Sequence, residues 1–251
     1  FPPCISGRPT SQTPASGGIA NFSVTASGTP TLAYQWKKGG VDISGATDSS
    51  YSINPVTGAD AGSYTVLITN PDGSALSSAA TLSGPPTISA QPAGATKNPG
   101  ESVTFSVTAD GQATLAYQWK KDGSDVSGAT ESSYTINPVA GSDAGDYTVV
   151  VSNGAGSVTS AAATLNVSPD ITTQPQSHSA ALGGNTSFTV TVTGTAPFTY
   201  QWKKVGTGDS SGATTATLSL TSLTSGDAGD YYVTVSNAHG SLDSDTATLT
   251  V

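Results

Sequence analysis

The sequence has little charge, almost no sulfur and no long apolar stretch. Only 10% of its 251 residues are charged, methionine is absent and cysteine occurs once, at Cys4. A single cysteine cannot form a disulfide within the chain. No apolar run approaches the ~18 residues of a membrane-spanning helix, so we predict no membrane insertion. The net charge of −9 argues against binding to nucleic acid or to an anionic membrane surface, and we predict neither partner.

The residues that are abundant favour strands and turns. Thr, Val and Tyr have high β-propensity, whereas the 29 glycines and 15 prolines are typical of turns. Charged residues with high helix propensity are scarce. The composition therefore predicts an all-β protein.

A unit of roughly 83 residues occurs three times in the chain. All three tryptophans lie in the segment YQWKK, which stands at 34–38, 117–121 and 200–204. The repeats predict three domains that follow one another with almost no linker, at 1–84, 85–168 and 169–251.

Within each copy, apolar residues alternate with polar ones. In the second copy the alternation covers 103–107, 115–119 and 147–151. The segments between them are rich in Gly, Pro, Asn and Asp, as expected of turns. Several short alternating strands separated by turns predict an antiparallel sandwich, in which each sheet buries one face.

The segment near the end of each copy resembles strand F of immunoglobulin domains. The sequences DAGSYTV (60–66), DAGDYTV (143–149) and DAGDYYV (227–233) are similar to the D-x-G-x-Y-x-C signature of that strand. The tryptophan lies upstream, where strand C of these domains carries its core Trp. The resemblance implies three tandem immunoglobulin-like antiparallel β-sandwiches of the I-set type. It also implies that the tyrosine of each segment forms a tyrosine corner, in which its hydroxyl binds nearby backbone.

The two cysteines of the family's core disulfide are replaced by valine in every copy. The resemblance places the strand-B cysteine at Val24, Val107 and Val190 and its strand-F partner at Val66, Val149 and Val233. Loss of a native disulfide costs about 2–5 kcal/mol, and burial of two valines recovers a similar amount at roughly 1.5–3 kcal/mol each. The pattern resembles tandem domains of bacterial surface and secreted proteins, which implies an extracellular or cell-surface location.

The YQWKK segment is open to two interpretations, an exposed aromatic platform for a glycan and a buried core strand. Tyr51 and Tyr134 align with Leu218, and Phe198 aligns with Leu32 and Leu115. Interchange of aromatic and aliphatic residues indicates packing. We therefore predict a structural core that contains Trp36, Trp119, Trp202, Tyr64, Tyr147, Tyr231, Val24, Val66, Val107, Val149, Val190 and Val233.

The polar residues of the same segment are expected on the opposite side of the strand. With Trp119 facing inward, Gln118 and Lys120 face outward, and Lys121 lies where the strand leaves the sheet. A solvated strand end explains this pattern best. A row of lysines that contacts an anion or a glycan is the alternative.

No arrangement of catalytic residues recurs in the three copies, and we predict no catalytic site, no cofactor and no metal site. Asp60, Asp143 and Asp227 recur in the turn before the tyrosine segment, where Asp is suited to cap the turn. Cys4 lies on the first strand, away from the core cysteine positions of the family. It is either an exposed thiol or an intermolecular crosslink.

We therefore expect a non-enzymatic extracellular structural segment, which serves as a semi-rigid stalk or assembles into a surface fibre. Its partners would be neighbouring immunoglobulin-like repeats or identical subunits in a homopolymer. One alternative is an adhesin module that binds a glycan or a protein. Another is an accessory segment of a larger secreted enzyme.

Overall fold

The computed structural model describes residues 1–14, 17–111, 114–209 and 213–251. Regular structure in this part of the chain consists of β-strands and three short 3₁₀ turns, without an α-helix. The 3₁₀ turns lie at Gly58–Asp60, Gly141–Asp143 and Ser225–Asp227.

The strands form three similar sandwiches, which we call modules 1, 2 and 3. Module 1 contains β1 (Cys4–Gly7), β2 (Ala20–Ser23), β3 (Thr25–Ser27), β4 (Ala33–Lys38), β5 (Val41–Asp42), β6 (Ser50–Ile53), β7 (Gly62–Asn70), β8 (Gly73–Leu76) and β9 (Ala80–Leu82). Module 2 contains β10 (Thr87–Ala90), β11 (Ala95–Lys97), β12 (Val103–Ser106), β13 (Thr108–Asp110), β14 (Ala116–Lys121), β15 (Ser124–Asp125), β16 (Ser133–Ile136), β17 (Gly145–Asn153), β18 (Gly156–Thr159) and β19 (Ala163–Val167). Module 3 contains β20 (Asp170–Thr173), β21 (His178–Ser179), β22 (Thr186–Thr189), β23 (Thr191–Thr193), β24 (Thr199–Lys204), β25 (Gly208–Asp209), β26 (Thr217–Leu220), β27 (Gly229–Asn237), β28 (Gly240–Asp243) and β29 (Ala247–Thr250).

Each module packs a larger sheet against smaller strand pairs. In module 2 the larger sheet follows the order β11-β19-β17-β14-β15, with β18 also paired to β17. Opposite it, β12 pairs with β16 and β10 pairs with β13. These pairings are antiparallel except that of β11 with β19, which is parallel. Module 3 repeats the arrangement, whereas the larger sheet of module 1 has five strands and an isolated parallel bridge between Gln12 and Leu82 in place of the β11–β19 pairing.

Three separate hydrophobic cores lie between these sheets, one in each module. In module 2 the strand of the YQWKK segment, β14, pairs with β17 so that Trp119 lies opposite Val149. The prediction of an all-β chain with three tandem antiparallel sandwiches is confirmed.

The modules meet without a spacer, at joints that both neighbours help to form. At the first joint the Asn153 side-chain amide of module 2 donates to the Gly84 carbonyl at 2.9 Å. At the second, the Val167 carbonyl accepts from the Thr195 N–H at 3.0 Å and from the Asn237 side-chain amide at 2.9 Å. Because Val167 ends β19 of module 2, the last strand of that module runs directly into the loops of module 3. We keep 84/85 and 168/169 as the proposed domain limits.

Candidate functional site in the YQWKK strands

The three tryptophans lie inside the modules, and each is 0% exposed. The indole N–H donates at 2.9 Å to a backbone carbonyl in the loop that follows, belonging to Asp48, Glu131 and Thr215 respectively. A sugar ring stacks on an aromatic face that solvent can reach. The tryptophans offer no such face.

The tyrosine of each strand-F segment is buried beside the tryptophan. In module 2 the Phe105 and Tyr147 rings stack at 4.7 Å, and the Phe105 and Trp119 rings lie 6.2 Å apart. The Tyr147 hydroxyl donates to the Asp143 carbonyl at 2.8 Å. Tyr64 and Tyr231 make the same hydrogen bond to the residue four positions earlier. These bonds have the pattern of a tyrosine corner.

Burial raises the pKa of the corner tyrosines. The pKa of Tyr64 rises to about 12, first because of burial and then because of the nearby negative charge of Asp60. The pKa values of Tyr147 and Tyr231 are also raised, first because of burial and then because of the nearby negative charge of Asp143 and Asp227, respectively. The phenols therefore remain neutral hydrogen-bond donors at ordinary pH.

The six valines at the family's disulfide positions are all buried in the module cores. In module 2, Val107 and Val149 belong to one cluster of buried residues. The Val107 N–H donates to the Ser132 carbonyl at 2.9 Å. Replacement of the disulfide by apolar packing requires that both valines of a module lie in its core, and they do. The energetic part of that hypothesis remains a prediction.

The aspartates before the tyrosine segments cap the 3₁₀ turns. A carboxylate oxygen of Asp143 accepts the Ala140 N–H at 2.8 Å. Asp227 accepts the N–H and the hydroxyl of Thr224, both at 2.7 Å. The hydrogen bond from the Thr224 hydroxyl is the largest reason why the pKa of Asp227 is lowered. The turns that hold the tyrosines are thus fixed by carboxylates that are already engaged.

The glutamine of the YQWKK segment is half-buried, although the strand pattern suggests an outward position. The Gln118 side-chain amide donates to the carbonyls of Trp119 and Val126, both at 2.8 Å. Gln35 donates to Trp36 and Ile43 in the same way. The chain after β15 passes beside the strand, where the Val126 N–H also donates to the Trp119 carbonyl at 2.9 Å. Gln118 therefore fastens that loop to the sheet.

The first lysine of the segment pairs with an aspartate on the adjacent short strand. Lys120 pairs with Asp125 at 2.5 Å, and Lys37 pairs with Asp42. The side chains of these lysines are 30% and 22% exposed. In module 3 the Lys203 ammonium lies 5.8 Å from the centre of the Tyr232 ring.

The second lysine binds the 3₁₀ turn or a neighbouring carboxylate. Lys38 and Lys204 donate to the carbonyls of Ala59 and Gly226 within their turns. Lys121 pairs instead with Asp122 at 2.9 Å. The pKa of Asp122 is lowered, first by the hydrogen bond from the Asp146 N–H and then by Lys121. Most ammonium groups of the lysine row are therefore engaged within their own module.

Cys4 is exposed on β1, where it lies opposite Ser27 of β3. The described residues contain no group of three or more His, Cys, Asp or Glu side chains arranged to hold a metal ion. They also contain no helix that is long and apolar enough to cross a membrane. A depression of about 230 Å³ beside the second joint is lined in part by Gly145, Leu165 and Asn166. It is smaller than the 300–1,000 Å³ typical of ligand pockets.

Comparison with known proteins gives one family and several relatives. The family model for the immunoglobulin domain matches residues 2–70, 85–153 and 168–237. Roundabout homolog 3 of Homo sapiens is 27% identical over 226 residues, which make up 79% of this chain and 16% of that protein. Endoglucanase C of Cellulomonas fimi is 29% identical over 125 residues, 47% of this chain and 11% of that protein. The chain thus spans less than a fifth of the length of these relatives.

A solved structure of Dpr2 Ig1-Ig2 in complex with DIP-Theta Ig1-Ig3 is also similar. The match has a TM-score of 0.60 at 20% identity and covers 99% of this chain and 99% of the matched chain. At this identity the likeness concerns the fold.

Proposed function

The chain belongs to the immunoglobulin domain family, and on that premise we propose that it is a non-enzymatic, extracellular or cell-surface segment that spaces or displays other parts of a protein. One observation carries the proposal. The features that recur in all three modules, the tryptophan, the corner tyrosine and the capping aspartate, are engaged in holding the module together. A repeated catalytic or ligand-binding arrangement is absent from the described residues.

The lysine row supports the same conclusion. Lys120 and Lys121 are each paired with a carboxylate of their own module. Such surface pairs contribute only about 0–1 kcal/mol, but they occupy the groups that an anionic ligand would need. A glycan or anion would have to displace them, so we do not assign a ligand to this row.

The joints support a spacing role. Because the carbonyls of Gly84 and Val167 accept hydrogen bonds from the following module, the swing between modules is restricted. Modules of this strand length, placed end to end, give a semi-rigid stalk on the order of 100 Å long.

The proposal is tested by small-angle X-ray scattering and negative-stain electron microscopy of the purified chain. We expect a monodisperse, elongated monomer of the length given above. A compact particle, with the modules folded against one another, would contradict the spacing role. Filaments at high concentration would instead favour the version in which the chain assembles into a fibre.

A second candidate function is that of an accessory segment in a larger secreted enzyme. The similarity to part of Endoglucanase C favours it. The full-length polypeptide distinguishes the two. A catalytic domain on the same chain supports the accessory role, whereas many further repeats and a surface anchor support the stalk.

A protein partner is the third candidate, because Dpr2 and DIP-Theta, which share this fold, form a complex. Adhesion would then use the outer faces or the loop tips of the modules.

The bacterial origin suggested by the missing disulfides stays a prediction.

A further inference from the structure

The 3₁₀ turn begins with a glycine in modules 1 and 2 and with a serine in module 3. Gly58 and Gly141 are buried, whereas Ser225 at the equivalent position is exposed. Neither glycine has a positive φ, so the backbone conformation does not itself require glycine. The reason for the two glycines must therefore lie in what packs against them.

At the first joint, the turn of module 1 packs directly against module 2. A Cβ atom added to Gly58 would lie 2.7 Å from the Asp110 carbonyl oxygen, 2.8 Å from the Thr87 hydroxyl and 3.0 Å from the Thr87 backbone nitrogen. Two of these three atoms belong to the backbone. A side-chain rotation therefore cannot make room for a methyl group.

The second joint has the same construction. A Cβ atom added to Gly141 would overlap the Thr193 hydroxyl and would lie 2.8 Å from the Thr193 carbonyl carbon and 2.9 Å from the Asp170 Cβ. The Gly141 N–H also donates to an Asp170 carboxylate oxygen at 3.3 Å. The turn is thus both packed against the next module and hydrogen-bonded to it.

The surface that receives the turn is a cross-strand pair at the start of the following module. Thr87 of β10 lies opposite Asp110 of β13, and Asp170 of β20 lies opposite Thr193 of β23. The two joints use the same two residue types in opposite order. At the first joint the pair presents the Thr87 hydroxyl and the Asp110 backbone carbonyl to Gly58, and at the second it presents the Thr193 hydroxyl and the Asp170 side chain to Gly141.

We infer that Gly58 and Gly141 are the docking residues of the two joints, and that their lack of a side chain sets the angle between neighbouring modules. The inference deepens the proposed spacing function and rests on it for its biological meaning. A side chain at either position pushes the turn away from the cross-strand pair. The joint then opens, while the cores of both modules stay intact.

The two outer ends of the chain lack this construction. Ser225 carries a side chain at the docking position, and in module 1 the receiving pair is Cys4 opposite Ser27, with no carboxylate. If module 3 of one copy met module 1 of another in the same way, Ser225 would have to be accommodated where the inner joints have no space. The geometry of the inner joints would therefore have to change for module 3 of one copy to meet module 1 of another.

The test is NMR relaxation on the full chain, which gives a rotational correlation time for each module. In the wild type we expect one shared, long correlation time. Gly58→Ala should release module 1, whose correlation time becomes shorter while modules 2 and 3 remain coupled. Gly141→Ala should release module 3 in the same way. Ser225→Gly and Ser225→Ala change the equivalent position outside a joint and should leave all three values unchanged.

Amide chemical shifts separate an opened joint from an unfolded module. For Gly58→Ala, changes confined to the turn and to residues around Thr87 and Asp110, with core shifts retained, support the inference. Alanine variants that keep the wild-type correlation times overturn it and leave the spacing function standing. If the wild-type modules already tumble independently, the inference fails and the semi-rigid stalk fails with it.

Discussion

Replacement of Trp119 by alanine tests whether the YQWKK strand is core or binding surface. The side chain is 0% exposed, and it packs against Phe105 and Tyr134 at ring distances of 6.2 and 6.4 Å. Removal of a buried tryptophan costs about 3–5 kcal/mol. The Glu131 carbonyl also loses its indole donor, which places the expected loss in the upper part of that range.

The loss should be confined to module 2, because each module has its own core. A domain is stable by only about 5–15 kcal/mol, so the change removes a large share of the stability of module 2. With a urea slope of about 1–3 kcal/mol per M, the midpoint of module 2 should fall by roughly 2 M.

Two spectroscopic signals separate the modules in one experiment. Circular dichroism reports unfolding of all three modules, whereas the fluorescence of the variant comes from Trp36 and Trp202 in the other two. We expect an early phase in circular dichroism and an unchanged fluorescence transition.

Lys120→Ala is the matched control, since it alters the next residue and breaks only a surface pair worth up to about 1 kcal/mol. A Trp119→Ala chain that unfolds like the wild type would refute the core assignment. Loss of glycan binding at unchanged stability would identify the segment as a binding surface.

Three further predictions concern the corner tyrosines, the valine pairs and the cysteine. Because the pKa of Tyr64 is raised to about 12 while an unfolded tyrosine ionises near pH 10, the unfolded state releases its proton first. The contribution of Tyr64 to the free energy of unfolding should be fully present below about pH 10 and should fall from there towards pH 12. Thermal unfolding between pH 8 and 12 measures this, and a melting temperature that does not change over that range would contradict it. Val107→Cys combined with Val149→Cys should form the family's disulfide, so that the oxidised variant is about 2–4 kcal/mol more stable than the same variant in reductant; no difference in urea unfolding would reject the equivalence of these positions. If Cys4 forms intermolecular crosslinks, non-reducing electrophoresis of the oxidised chain shows a dimer that Cys4→Ser abolishes, and a wild type that stays monomeric rules the crosslink out.

The sheet architecture could be predicted from the sequence because alternation and turn residues are local signals. The residues at which the strands begin and end are harder to predict from the sequence. The alternation over 103–107 continues to Ala109 and suggests one strand, but β12 ends at Ser106 and β13 begins at Thr108. Strand β12 pairs with β16, whereas β13 pairs with β10. A change of partner strand leaves the alternation intact, so the sequence carries no sign of it.

The hydrogen-bond and ion-pair partners of long side chains are still harder to predict. Lys38 reaches the carbonyl of Ala59 in its turn, whereas Lys121, in an identical YQWKK segment, pairs with Asp122. The difference follows from the turn after the strand, where module 2 has Asp122 and module 1 has Gly39. An extended lysine side chain takes whichever acceptor the local loop supplies. The pattern of the strand alone does not determine which one that is.

Comparison of the three copies separates two kinds of constraint on this chain. The tryptophan position is buried in the core of each module and carries the same residue in each. The docking position faces a neighbouring module in two copies and solvent in the third. It carries glycine in the first two and serine in the third, at Gly58, Gly141 and Ser225. The fold of the turn is the same in all three copies, so it does not require glycine, whereas the module packed against Gly58 and Gly141 leaves no space for a side chain there.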